Sequence, residues 1–213
     1  MNEFKMMTPA PALNEKKPIV YCEQHSFFST YAESLQEVLA VSDWTNVLAL
    51  STVLFQAREQ RKKVFICGNG GSAANADHMA NDFVYAMAKS TGAGLDATSL
   101  CSNTAVLSCL ANDVGYEEIF SEQLAVSAQP GDVLIVLSGS GNSGNVVRAL
   151  EMAKNLSVKT ASIVGFDGGE CKQLSDLPIH FAVDDMQIAE DLQLVVGHMI
   201  MKWMQKEIKS KAA

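Results

Sequence analysis

The chain has 213 residues, and its 16 Lys and Arg against 24 Asp and Glu leave a formal charge of −8. At 48% hydrophobic residues it can bury a sizeable core, while its acidity argues against a nucleic-acid partner, which needs a basic stripe to neutralise phosphates. The basic residues gather at the two ends: residues 19–200 hold nine of them against twenty-one acidic ones, a balance of −12, so any anionic ligand must be held by local groups against the field of the body.

Residues 1–18 mix Pro, Ala and Lys without an apolar period and predict a flexible N-terminal arm, with residues 19–213 as a single domain. From about 23 to 60 the apolar spacing is helical. Phe28, Tyr31, Leu35, Val38 and Leu39 recur at intervals of three and four, and Asp43 stands where it would cap a second run through Val47, Leu48, Leu50, Val53, Leu54 and Ala57. Two helices joined near 41–43 predict a helical hairpin. The remainder alternates strands and helices: strands at 63–67, 95–100, 132–137, 160–164 and 179–183, and helices at 72–89, 104–110, 117–126, 143–156 and 186–209. That alternation implies βαβ units and a parallel sheet covered on both faces. Turn signals at 130–131 and 167–169 fit the connections.

The five cysteines, Cys22, Cys67, Cys101, Cys109 and Cys171, are odd in number and form no CxxC pair, which predicts reduced thiols. No run approaches the roughly 18 apolar residues of a membrane span, and no basic stretch followed by an apolar one opens the chain. The expectation is a cytoplasmic protein without a membrane partner.

Two turns carry the chemistry. Residues 67–72 read CGNGGS and lead from the first strand into a helix; residues 138–143 read SGSGNS and do the same after the third. A Gly/Ser/Asn turn at a helix N-terminus offers unpaired N–H donors, a favourable dipole and close backbone approach. Neither turn is GxGxxG in the dinucleotide sense or GxxxxGK[ST], which disfavours a dinucleotide or a nucleoside triphosphate. Two such turns at the carboxyl edge of one sheet point to a bound phosphate, with Ser138, Ser140 and Ser143 supplying hydroxyl donors.

Together CGNGGSAANADH, LANDVGYEEIFSEQL and LSGSGNSGNVVRALEMAK resemble the SIS (sugar isomerase) domain and, within it, the phosphoheptose isomerases, over roughly residues 25–208. The resemblance implies an α/β three-layer sandwich with a five-stranded parallel flavodoxin-like sheet behind the helical hairpin. It implies conversion of sedoheptulose 7-phosphate to D-glycero-D-manno-heptose 7-phosphate, for nucleotide-heptose, lipopolysaccharide or capsule synthesis, in a homotetramer whose active sites lie between subunits. It makes Asn69, Gly70, Gly71 and Ser72 the first substrate-contacting turn, Asn112 and Asp113 contacts to the sugar hydroxyls, and Ser138, Gly139, Ser140 and Ser143 the phosphate loop.

Aldose–ketose isomerisation needs one group to take a proton beside the carbonyl and another to move a proton between the oxygens. His78 and Asp82, at i and i+4, share a helix face. Glu190 and His198 are eight residues apart on the last helix, about 80° around its axis and roughly 12 Å along it. Such a mixed set suits zinc. In the family the matching positions are His-x-x-x-Glu, and Gln followed by His eight residues later. The resemblance therefore makes Asp82 the base, His198 the acid, Glu190 a substrate contact, and His78, Asp82, Glu190 and His198 the candidate zinc ligands. Here Asp replaces Glu, which shortens the base by a methylene, and Glu replaces Gln, which adds negative charge. His25 and His180 have no such context, and Asp184 and Asp185 are expected to cap the last helix. The alternative is a non-catalytic SIS protein, binding a sugar phosphate or serving as a tetrameric scaffold of the replication-initiation type, which would not need His198.

Overall fold

The computed structural model describes residues 23–212, with side chains described from 26 to 211. The predicted arm at 1–18, Cys22 and the side chain of His25 lie outside the described residues. The chain divides into two units after Glu37. The described part of the first is most of α1 (Glu23–Val41), in which the Thr30 hydroxyl donates to the Ser26 carbonyl at 2.9 Å.

The second unit starts at the end of that helix, and a break at 42–44 leads into α2 (Thr45–Glu59). Asp43 caps α2 from one position further out than the spacing predicts. The residue flanking the helix is Trp44, and the Asp43 carboxylate reaches past it to accept from the Thr45 N–H at 2.9 Å and the Thr45 hydroxyl at 2.6 Å. One orphan donor of the first turn is thereby satisfied.

Five strands form one sheet: β1 (Lys63–Gly68), β2 (Asp96–Ser99), β3 (Val133–Ser138), β4 (Lys159–Val164) and β5 (Leu177–His180). All pairs are parallel and the order is β2-β1-β3-β4-β5. The continuous apolar runs are what a sheet covered on both faces requires, and β3 is buried at every position. α2, α3 (Gly71–Asn81) and α9 (Met186–Ala212) pack on one another and on the strands, while α6 (Ser121–Ser127), α7 (Gly144–Asn155) and α8 (Gly169–Leu174) form the other helical group. The chain leaves β1 for β2 and returns to β3 on the opposite side, so the carboxyl ends of β1 and β3 flank the switch point at which open α/β sheets bind ligands. Gly68 and Leu137 are register partners there.

Several elements depart from expectation. The helix predicted over 72–89 is interrupted: α3 ends at Asn81, a π-helical turn occupies Asp82–Ala86, and α4 (Met87–Thr91) follows. α5 (Thr104–Asp113) runs three residues further than predicted, which puts Asn112 and Asp113 on a helix. The helix expected over 117–126 splits into a 3₁₀ turn at Tyr116–Glu118 and α6. α8 begins at the second glycine of the pair at 168–169, which the sequence marks only as a turn. Asp132, expected to open the third strand, precedes it, and its carboxylate accepts from the Lys63 and Gln129 N–H groups, both at 2.9 Å.

Candidate active site

The first turn is bent by Gly70, whose φ of 54° suits a residue without a β-carbon. Gly71 then opens α3, and a β-carbon on it would collide with the Glu190 carboxyl group of α9. Asn69 is locked rather than free. Its amide pairs reciprocally with that of Asn145 in the first turn of α7, both bonds 2.8 Å, and its oxygen accepts the Tyr116 hydroxyl at 2.9 Å. This pair ties the turn after β1 to the turn after β3.

In the second turn the Ser138 Oγ accepts from the Gly141 N–H at 3.0 Å and the Ser140 Oγ from the Asn142 N–H at 3.3 Å. Both hydroxyls are oriented as acceptors of backbone N–H groups, which leaves their hydrogens to donate elsewhere. Ser143 flanks the N-terminus of α7. Between the turns lies a cavity of about 280 Å³, lined by Asn69, Gly70, Ser72, Ser138, Gly139, Ser140, Ser143, Met186 and Glu190 among others. No Lys or Arg lines it, so its donors are backbone N–H groups, serines and the N-terminus of α7.

Beyond the cavity, α3 and α9 run side by side in the same direction. Ser72 Oγ accepts from Gln193 Nε2, and Asn75 Nδ2 donates to Gln193 Oε1 and to the Glu190 carbonyl, each at 3.0 Å. About one turn further along, His78 meets His198, their Nε2 atoms 3.1 Å apart. Asp82 Oδ2 stands 3.5 Å from His78 Nε2 and 3.4 Å from His198 Nε2. The Asp82 side chain is 16% exposed and each imidazole 47%.

These three residues are a group able to hold a metal ion. A tetrahedral zinc ion with bonds of about 2.0–2.1 Å needs its donor atoms about 3.3 Å apart, so the donor set and its spacing fit. Glu190, expected as a fourth ligand, is not part of the group. Because α3 and α9 run parallel, residues eight apart on α9 meet different levels of α3. Glu190 faces Gly71, and His198 faces His78.

Asn112 and Asp113 do not line the cavity. Both are exposed, the Asn112 amide donates to Asp113 Oδ1 at 2.7 Å, and Cys109 Sγ lies 3.3 Å from Asp113 Oδ2. The Asn112 amide, followed by the Cys109 thiol, lowers the Asp113 carboxyl below its ordinary range. Burial pushes the Cys67 and Cys101 thiols up and the Cys171 thiol to about 12, which keeps them protonated and un-nucleophilic at neutral pH. His180 has a structural use: Nε2 contacts the Phe166 carbonyl at 2.9 Å and Nδ1 the Lys172 amine at 3.1 Å. Asp185 caps α9, accepting from the Gln187 and Ile188 N–H groups at 2.9 and 3.0 Å. Asp184 makes no such cap and instead lines a neighbouring surface cavity with Ser140, Asn142 and Phe166. Asn145, Tyr116, Gln193 and Asn75 brace the site without being foreseeable from spacing, since each acts across a long stretch of chain.

A parallel sheet of this order, with two Gly/Ser turns at its switch point, is the architecture of a SIS domain, and a family model for the SIS domain matches residues 26–165. A phosphoheptose isomerase of Helicobacter pylori (strain P12) is 38% identical over 181 residues, covering 84% of this chain and 88% of the relative. One from Akkermansia muciniphila is 38% identical over 146 residues, 68% of this chain and 77% of the relative. The solved phosphoheptose isomerase GmhA from Neisseria gonorrhoeae superposes with a TM-score of 0.77 at 27% identity, over 86% of this chain and 98% of that one. The chain belongs to the phosphoheptose isomerase family of SIS-domain enzymes.

Proposed function

We propose that this enzyme converts D-sedoheptulose 7-phosphate to D-glycero-D-manno-heptose 7-phosphate through an enediolate. The observation that carries the reading is the Asp82 carboxylate set 3.4–3.5 Å from two imidazoles, on the same pair of helices that borders the serine-lined cavity. In this reading the cavity takes the phosphate, with Ser138, Gly139, Ser140 and Ser143 around it and Asn69, Gly70, Gly71, Ser72 and Glu190 on the sugar side. The separation of Glu190 from His198, about 12 Å along α9, is of the order of an extended sugar phosphate.

Asp82 removes the proton from C1 of the ketose and returns one to C2. His198 donates a proton to O2 as the enediolate forms and accepts the one leaving O1, so the carbonyl moves from C2 to C1 with no net proton change. His78 and Asp82 orient His198. Zinc, held by His78, Asp82 and His198, would polarise the reacting oxygens as a Lewis acid. The proton transfers just given belong to the metal-free side chains, because a bound ion would occupy the converging Nε2 and Oδ2 atoms. Asn112 and Asp113, exposed and away from the cavity, complete the site of a neighbouring subunit in a homotetramer. An apolar α5 without a single buried residue supports that role. The proposed setting is cytoplasmic. Among the described residues no single helix is long and apolar enough to cross a membrane. The product feeds nucleotide-heptose synthesis for lipopolysaccharide or capsule.

Incubation of the purified protein with sedoheptulose 7-phosphate, with and without zinc, tests this directly. Appearance of the aldose is expected. Absence of turnover in both conditions would overturn it in favour of a sugar-phosphate-binding scaffold.

A further inference from the structure

The π-helical turn at Asp82–Ala86 begins at the proposed base. In it the Met87 N–H donates to the Asp82 carbonyl, five residues back. The Phe83 carbonyl, which would accept that N–H in a regular α-helix, accepts instead from the Leu95 N–H at 2.9 Å. Leu95 lies just before β2, which pairs with β1, so the turn is anchored to the edge of the sheet. The approach is close: a β-carbon on Gly94 would strike the Val84 carbonyl oxygen and fall 2.9 Å from that of Phe83. π-turns cost regular hydrogen bonding and concentrate at functional sites. Phe83 within this one and Met87 directly after it are fully buried, so the backbone between them has little freedom to shift.

We propose that Gly94 is a positioning residue, admitting the segment before β2 against the π-turn and thereby setting the Asp82 carboxylate between the two imidazoles. The proposal rests on the roles given above to Asp82. A side chain at 94 displaces the Val84 and Phe83 carbonyls, and the displacement passes directly into the helix end that carries Asp82. A carboxylate misplaced by a fraction of an ångström loses both the metal geometry and proton-transfer reach.

Gly94→Ala tests it, with Gly92→Ala as control. Gly92 is in the left-handed region, φ 84°, but a β-carbon there meets nothing within 4 Å. It therefore strains the same loop without touching the π-turn. Gly94→Ala is expected to weaken zinc binding by the metal-free protein, measured calorimetrically, and to lower kcat for sedoheptulose 7-phosphate, each at least tenfold, with KM within about twofold. Gly92→Ala is expected to lower Tm while leaving zinc affinity and kcat within about twofold. Wild-type zinc affinity and kcat in Gly94→Ala, or equal losses in Gly92→Ala, would overturn the proposal. If His78→Ala leaves zinc affinity unchanged, the zinc assignment fails separately, and the same kcat loss confined to Gly94→Ala decides the role of Gly94. Should Gly94→Ala not fold, deletion of the exposed Tyr85, which removes the extra residue of the turn, must give the same loss of kcat at unchanged KM.

Discussion

The Nε2 atoms of His78 and His198 stand 3.1 Å apart, joining helices separated by 120 positions of chain. At that distance one ring must donate and the other accept, or both must face a cation, because two imidazolium rings would repel. His78→Ala and His198→Ala are each expected to weaken zinc binding by about 100-fold or more, and the double variant to add little, since each single change already opens the same site. Competition against a chromophoric chelator measures this. Single variants with wild-type affinity would remove the metal assignment. Both rings are about half exposed, so Tm should move by no more than a few degrees.

Asp82→Asn keeps the shape of the side chain and removes the carboxylate proposed as the base. A loss of about 10²–10⁴ in kcat is expected, with KM nearly unchanged. Asp82→Glu is informative in the other direction. The carboxylate already lies 3.4–3.5 Å from both imidazoles, so an added methylene crowds them, and activity below wild type is expected. A more active Asp82→Glu enzyme would mean that Asp is too short for the transfer.

Asp176 offers a pH-dependent contribution away from the active site. Burial would raise its carboxyl, but the N–H and hydroxyl of Thr160, at 2.9 and 3.1 Å, and Lys159 at 3.4 Å outweigh burial and lower it below 3.8. A depressed carboxyl stabilises the fold above its unfolded value and loses that contribution as pH falls through the folded value. Asp176→Asn should therefore lower Tm at pH 7, by an amount equivalent to about 1 kcal/mol or less for so exposed a group. The difference from wild type should shrink below about pH 4. A constant difference from pH 7 to pH 2 would show that charge is not its cause.

The sheet and both turns were legible because buried parallel strands are written as unbroken apolar runs and their exits as Gly and Ser. The π-turn was not. Nothing in the residues DFVYA at 82–86 interrupts a helix, and its partners, Gly94 and Leu95, belong to a different element. Glu190 was misplaced for a related reason. Helical spacing fixes its angle from His198, but only the parallel course of α3 assigns the two residues to different levels, one over Gly71 and one beside His78. The reciprocal pair of Asn69 and Asn145 joins positions 76 apart, for which periodicity carries no signal. Asn112 and Asp113 were pointed to by the resemblance alone, and in the single chain they stand outside the cavity.

Glu190 sets the last prediction. Its carboxyl group lies over Gly71, at the N-terminus of α3, and lines the cavity with the serines of the second turn. A carboxylate there complements the α3 dipole but repels a phosphate in the same cavity. Of the two turns, the one after β1 is thus already occupied by a negative group of the protein, which is why the one after β3 is proposed for the phosphate. Glu190→Gln should lower KM for sedoheptulose 7-phosphate, and tighten binding of inorganic phosphate, by about three- to tenfold at low salt, less at high salt. It should also lower stability by about 0.3–1 kcal/mol through the lost interaction with α3, read by urea denaturation. A raised KM would instead make the Glu190 carboxylate an acceptor for the sugar hydroxyls, with its attraction for them exceeding its repulsion of the phosphate.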